Sequence, residues 1–216
     1  MRNALLLFLA FFAAGVCAQD VGLINHLAGE ATYQSGSTRG AKATAYMKIR
    51  EGDRFTLAPG AQARIVYFQG SRQESFTGPA RFVAGKDQSK VESGSAPQVT
   101  TLPAGVSQRI AQTPELLAIA KLGRAGGVAV RSGIRPKPLT PAQEAEVKEA
   151  RATYTQLRRT AADDDITPEL FLYSVLDEHR LYQDMKVVVS EMQRRQPGNA
   201  DVASMVEYVE SKATGR

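Results

Sequence analysis

The sequence predicts a segregated α+β protein, with an N-terminal all-β sandwich or roll of short strands followed by a small C-terminal α-helical bundle. Three observations carry this. Up to about Ile110, short β-branched and aromatic runs alternate with Gly, Pro and Ser punctuation. Between residues 123 and 139, glycines and prolines break any regular period. From Thr140 onward, apolar residues recur at helical spacing.

The strands follow in order. Val21-Gly22-Leu23-Ile24 leads to the turn glycine Gly29, and Ala31-Thr32-Tyr33 comes next. Tyr46-Met47-Lys48-Ile49 runs into Glu51-Gly52-Asp53. Phe55-Thr56-Leu57 alternates and stops at Pro59-Gly60. Ala63-Arg64-Ile65-Val66-Tyr67-Phe68 is the strongest strand and ends at Gln69-Gly70-Ser71. Phe76 precedes the Gly78-Pro79 break, and Ala80-Arg81-Phe82-Val83 follows it. Val91 and then Val99-Thr100-Thr101-Leu102 close the set. Alternation lets one face be buried and the other wet, and this spacing of many short strands suits a sandwich or barrel-like roll.

The helices carry their own start signals. Thr113-Pro114-Glu115 reads as an N-cap, a proline in the first turn and an acid that suits the helix dipole, with the helix running to Leu122. Residues 123–139 read as a linker with one embedded strand at Val128-Ala129-Val130. Thr140-Pro141-Ala142-Gln143 has capping-box spacing. Val147, Ala150, Tyr154 and Leu157 then share a face. A second helix starts at Thr167-Pro168-Glu169, with Leu170, Leu172, Val175 and Leu176 apolar. A third carries Tyr182, Met185, Val189 and Met192, and Pro197-Gly198-Asn199 ends it. Val202, Met205, Val206 and Val209 mark a fourth. Short helices are marginal alone, so these stripes are expected to bury one another.

Residues 1–18 have the layout of a secretory signal peptide. A charged start at Arg2 precedes an apolar stretch from Ala4 to Val16, and small residues lead to cleavage between Ala18 and Gln19. The stretch is shorter than the roughly 20 apolar residues a membrane span needs. A periplasmic or secreted location is the expectation, with no transmembrane span in the mature chain. Cys17 is the only cysteine and lies in the leader, so disulfide and thiolate chemistry are not expected after cleavage. The formal net charge is +5, spread along the chain without a basic block. Diffuse charge of this kind favours solubility and is poor support for nucleic-acid binding.

No catalytic or cofactor signature emerges. His26 and His179 fall in different regions and lack ligand spacing, and His179 reads as a solvated helix-end residue. Asp163-Asp164-Asp165 lacks the alternating acids, glycine and distal glutamate of a calcium loop and reads as a solvated acidic loop. Gly123-Arg124-Ala125-Gly126-Gly127 has neither phosphate-loop residues nor the strand-before-helix order. No nucleophile elbow is present. Cofactors, metals and catalytic residues are therefore not assigned. Lys48, Arg64, Arg72 and Arg81 lie on or beside strands and are candidates for a basic interaction face; as outward strand residues they would equally protect sheet edges. Tyr33, Tyr67 and Phe68 are candidate stacking faces for a glycan.

Two resemblances add to this reading. Gly29-Glu30-Ala31, Ile49-Arg50-Glu51-Gly52-Asp53-Arg54-Phe55, Gly60-Ala61-Gln62-Ala63-Arg64-Ile65 and Phe68-Gln69-Gly70-Ser71 resemble the FecR-like domain of bacterial envelope proteins. The resemblance spans about residues 20–100 and implies a periplasmic β module that contacts other macromolecules. From Thr167 to Lys212 the chain is similar to a degenerate tetratricopeptide repeat with a following helix. Leu172, Leu176, Tyr182, Met185, Val189, Met192 and Pro197 carry that likeness. One repeat implies a helix pair rather than a peptide-binding array.

The expected organisation is a signal peptide over 1–18, a FecR-like β domain over 19–110, a short helix and Gly/Pro-rich linker over 111–139, and a tetratricopeptide-like helical region over 140–216. The expected function is a non-enzymatic envelope protein acting as a scaffold, adaptor or signal-relay module for other envelope proteins. Binding of peptidoglycan or another glycan is the alternative.

Overall fold

The computed structural model describes residues 19–36, 38–125 and 138–214. Among the described residues ten strands come first: β1 Asp20–Ala28, β2 Ala31–Ser35, β3 Thr38–Lys42, β4 Lys48–Arg50, β5 Arg54–Leu57, β6 Gln62–Tyr67, β7 Arg72–Thr77, β8 Ala80–Ala84, β9 Ser89–Ser93 and β10 Gln98–Thr101. Six helices follow: α1 Val106–Ile110, α2 Thr113–Ala125, α3 Pro141–Thr160, α4 Thr167–Glu178, α5 Tyr182–Arg195 and α6 Ala200–Ala213. The segregated α+β organisation is present. The expected strand at Val128–Val130 lies outside the described residues.

The strands form two antiparallel five-stranded sheets. The first has the order β10-β7-β6-β1-β4 and the second β3-β2-β5-β8-β9. Their inner faces enclose a core of Ile24, Ile49, Phe55, Leu57, Ile65, Tyr67, Phe76 and Phe82. An aromatic row crosses it. Tyr33 stacks on Phe55 at 5.9 Å, Phe55 on Phe82 at 5.2 Å, and Phe82 on Phe76 of the opposite sheet at 4.0 Å. Stacked aromatics of this kind add to their burial energy.

The first sheet is covered on its other face too. Leu23, Val66 and Leu102 join the helical core, which includes Ile110, Leu170, Leu176, Met185, Met192, Met205 and Val209. The molecule therefore has three layers: second sheet, first sheet, helices. This explains why Ile65, Val66 and Tyr67 are all fully buried although they are consecutive. A strand covered on both faces reads as a continuous apolar run rather than as an alternation.

The observed elements depart from the sequence reading at four places. β7 was expected only near Phe76, but it starts at Arg72, because Gln73 and Glu74 are both buried, on opposite faces. β3 has no apolar alternation and forms by pairing with β2, Tyr33 opposite Ala41. α1 lies where β structure was expected. Gly105 takes a positive φ of 83° at its start, and Val106 and Ile110, four apart, both reach the helical core. α2 continues past Leu122 to Ala125.

The helix starts match their signals. Thr140 and Gln143 close a capping box before α3, with the Gln143 N–H donating to Thr140 Oγ1 at 3.3 Å and the Thr140 N–H donating to Gln143 Oε1 at 2.9 Å. Asn199 caps α6 by accepting from the Asp201 N–H at 2.9 Å. α4 is central, with every residue from Thr167 to Leu176 buried, as expected of a helix enclosed by others. Arg109 of α1 ties it to two neighbours through Glu146 of α3 and Glu178 of α4. Among the described residues, no helix is long and apolar enough to cross a membrane.

Because Leu23 belongs to a strand and packs among helices, Leu23→Ala is expected to lower stability by about 2–5 kcal/mol. Circular dichroism and tyrosine fluorescence during chemical unfolding should still report one shared transition. Separate transitions for the β and helical signals would contradict a common core.

Candidate functional site

The outer face of the first sheet is only partly covered by helices. Where the α3–α4 corner leaves it, a cleft of ≈ 470 Å³ opens over β6, β7 and β10. Strand register builds its floor. Gln62 stands opposite Thr77, Arg64 opposite Ser75, and Ser75 opposite Gln98. Gln73 stands opposite Thr100. These side chains share one face because alternate strand residues do. The floor is a lattice of amides and hydroxyls, and Thr160, Ala161 and Pro168 form the wall. A second cleft of the same volume lies beyond His26 and Asp164, against Gln196, Pro197 and Asn199.

Charged groups gather at the inner end, where sheet and helices are joined. Asp165 accepts from Gln73 Nε2 at 2.9 Å, from the Thr167 hydroxyl at 2.5 Å and from the Thr167 N–H at 2.9 Å. Asn25 of β1 donates to the same hydroxyl at 2.5 Å. Arg64 lies 3.6 Å from Asp165 and donates to Asp164 at 3.3 Å and to Ser75 at 3.4 Å. The side chains of Arg64 and Asp165 are only 10% and 4% exposed. Buried charges persist when paired and hydrogen-bonded, and this set draws partners from three strands and one helix start, although Arg64 Nη1 and Asn25 Oδ1 make no hydrogen bond.

On the helix side of the corner, Glu169 is fully buried. Arg158 donates to it at 2.9 Å, Tyr154 donates at 3.1 Å, and Arg195 lies 3.5 Å away. Arg158 also donates to the carbonyls of Asp165 at 2.6 Å and Ala162 at 2.7 Å. The corner is thus gripped from both sides. Burial pushes the Glu169 carboxyl up, and Arg158 works against that rise. His26, at the mouth, lies 3.7 Å from Asp164 and is held below its ordinary value of 6.5 by burial and then by Arg64, with Asp164 and Asp165 opposing.

Several sequence expectations are corrected here. Arg64 does not face a partner, because the outer face of the first sheet meets helices at that point. Asp163-Asp164-Asp165 is not uniformly solvated: the Asp163 side chain is exposed, 3.9 Å from Arg195, whereas Asp165 is buried in the joint. His179 is not a solvated end residue. Its side chain is 5% exposed and lies 3.1 Å from Glu146. Tyr67 is no stacking face, being fully buried between the sheets with its hydroxyl 2.7 Å from Ser89. Tyr33 stacks inward on Phe55, and Phe68 packs against the helical core.

The four basic candidates do not converge. Lys48 is paired with Glu115 of α2 at 2.5 Å. Arg72 is spent on Glu74 at 2.6 Å. Arg81 is exposed on the second sheet. The residues that the sequence reading missed are Asn25, Gln73, Asp165 and Thr167. Asp165 had one legible signal: an Asp two residues before a helix-starting Thr-Pro readily accepts the backbone N–H it caps.

Among the described residues, no group of three His, Cys, Asp or Glu side chains is placed to hold a metal ion. The cleft offers many neutral donors and acceptors, with its carboxylates already engaged. No protein-family model, no curated protein and no solved structure matches this chain.

Two measurements probe the joint. Asp165→Ala leaves Arg64 with Asp164 alone and removes the buried acceptor shared by Gln73 and Thr167, and is expected to cost about 3–5 kcal/mol in chemical unfolding; a loss below about 1 kcal/mol would mean that the pair is incidental. Below pH 6.5 the unfolded chain takes up a proton on His26 that the folded chain resists. Stability contributed by His26 is therefore complete above pH 6.5 and declines as the pH falls. Glu169 acts in the opposite sense, so the difference between wild type and His26→Gln isolates the histidine. That difference should shrink from neutral pH toward pH 5, and a difference independent of pH would refute the assignment.

Proposed function

We propose that this chain is an exported, non-enzymatic interaction protein of the bacterial periplasm or envelope. Its FecR-like β module and tetratricopeptide-like helices serve as a scaffold, adaptor or signal-relay unit for other envelope proteins. The signal-peptide layout of residues 1–18 supports the location. The observation that carries the function is the cleft over β6, β7 and β10. Neutral hydrogen-bonding side chains such as Gln62, Ser75, Gln98 and Thr100 stand among apolar ones in its lining, and Arg64, Asp165 and Gln73 are spent on holding the layers together. Such a surface suits recognition of another chain's polar groups. Nucleic acid is not an expected partner, since Arg64 and Arg72 are engaged in internal pairs.

A second reading is favoured by the same floor. Amides and hydroxyls such as Gln62, Gln98 and Thr100 also match the hydroxyl groups of peptidoglycan or another glycan. It lacks the aromatic platform assigned to Tyr67, which is buried.

Chemical crosslinking of the full chain in its own envelope, followed by mass spectrometry, separates the two. A specific envelope protein recovered in adducts is the expected result. Absence of any such adduct, together with salt-resistant sedimentation on purified cell wall, would reject the protein-binding reading in favour of the glycan.

A further inference from the structure

The two sheets leave four edges, and three are guarded. β4 carries Lys48 and Arg50, paired with Glu115 at 2.5 Å and Asp20 at 3.4 Å. β3 contains Lys42 and breaks register against β2. β9 carries Lys90 and Glu92, with Glu92 bridged to Arg54 at 3.5 Å, and it also breaks register. Charges and bulges of this kind keep an edge from pairing with another chain.

β10 has none of these. Its sequence is Gln98-Val99-Thr100-Thr101, uncharged and rich in β-branched residues. All four residues are exposed, and Val99 is 46% exposed. Its register with β7 is unbroken from Gln98 to Thr101. The Leu102 N–H donates to the Ser71 carbonyl at 2.7 Å. Antiparallel alternation then turns the N–H and C=O of Val99 and Thr101 away from β7. Among the described residues, nothing pairs with them.

We infer that β10 is a strand-addition site, where an extended, uncharged segment of a partner envelope protein pairs with Val99 and Thr101. The inference rests on the interaction reading above and names its surface. The cleft lies beside the same strand, and Gln98 and Thr100 line both. Side chains of an added strand on that side enter the cleft, and those on the other side meet Val99. Main-chain bonds then supply affinity, and alternate side chains supply selectivity. The partner is uncharged because the charges beside β10 are engaged with one another: Arg72 pairs with Glu74, and Arg64 with both Asp164 and Asp165. A second copy fits less well, because it would offer only Gln98 and Thr100 to a cleft of ≈ 470 Å³.

The test places a benzoylphenylalanine photoprobe at Thr101 of the full chain in its own envelope, with control probes at Ile119 of α2 and Val187 of α5, both exposed. The expected adduct at Thr101 maps to one uncharged segment of another envelope protein. Val99→Pro removes an outward N–H without touching the β7 ladder, and Val99→Lys installs the missing guard. Each should lower the Thr101 adduct about tenfold with the thermal midpoint unchanged. A synthetic peptide of the mapped segment should then slow amide exchange at Val99 and Thr101. Adducts at Ile119 or Val187 but none at Thr101 overturn strand addition and leave the interaction reading standing. A Thr101 adduct with a second copy, or one indifferent to both Val99 variants, also overturns it. No adduct at any position defeats both.

Discussion

The structure depends on one constraint: the first sheet is buried on both faces, yet it carries polar side chains on the face that meets the helices. Asn25, Arg64 and Gln73 project where a helix corner must sit. Each would be costly there without a partner. Asp165 and Thr167 supply the partners, and both belong to the turn that starts α4. The β and helical parts are therefore specified together, by polar groups that fit in only one arrangement. Apolar contacts from Leu23, Val66 and Leu102 provide the bulk of the burial. The polar set fixes where on the sheet the helices land.

That placement creates the surface assigned to function. The corner gripped by Arg158, Arg195 and Asp165 stands over β6 and leaves β7 and β10 open beside it. The cleft and the free edge of β10 are two views of one consequence, since helices that covered β10 would have closed both. Charges in the region are consumed by the joint, so what remains available is neutral hydrogen bonding and backbone. These properties support the proposed docking surface, whose selectivity would come from shape and strand register.

Much of the fold was legible in the sequence. The helical stripes of Val147, Ala150 and Leu157, and of Met185, Val189 and Met192, are buried as their spacing implied. The Thr140–Gln143 capping box is formed. Part of what was not legible follows from the third layer. Arg64 has the alternation of a solvent-facing residue, and nothing local reveals that its outer face meets a helix corner. β7 was obscured because Gln73 and Glu74 are polar, and their partners Asp165 and Ser89 lie on other elements. Asp165 was hidden within three consecutive acids whose side chains have different fates. Tyr67 and Tyr33 looked like exposed platforms because the place in the strand's alternation, not residue type, decides which sheet face a ring occupies.

Native-state amide hydrogen exchange tests the central claim most directly. If the buried polar joint makes sheet and helices one cooperative unit, the amides of Val66 in β6 and Leu172 in α4 open with a common free energy, and Asp165→Ala lowers both by the same amount. If Leu172 opens at a lower free energy and the substitution moves it alone, the layers are independent and the account is wrong.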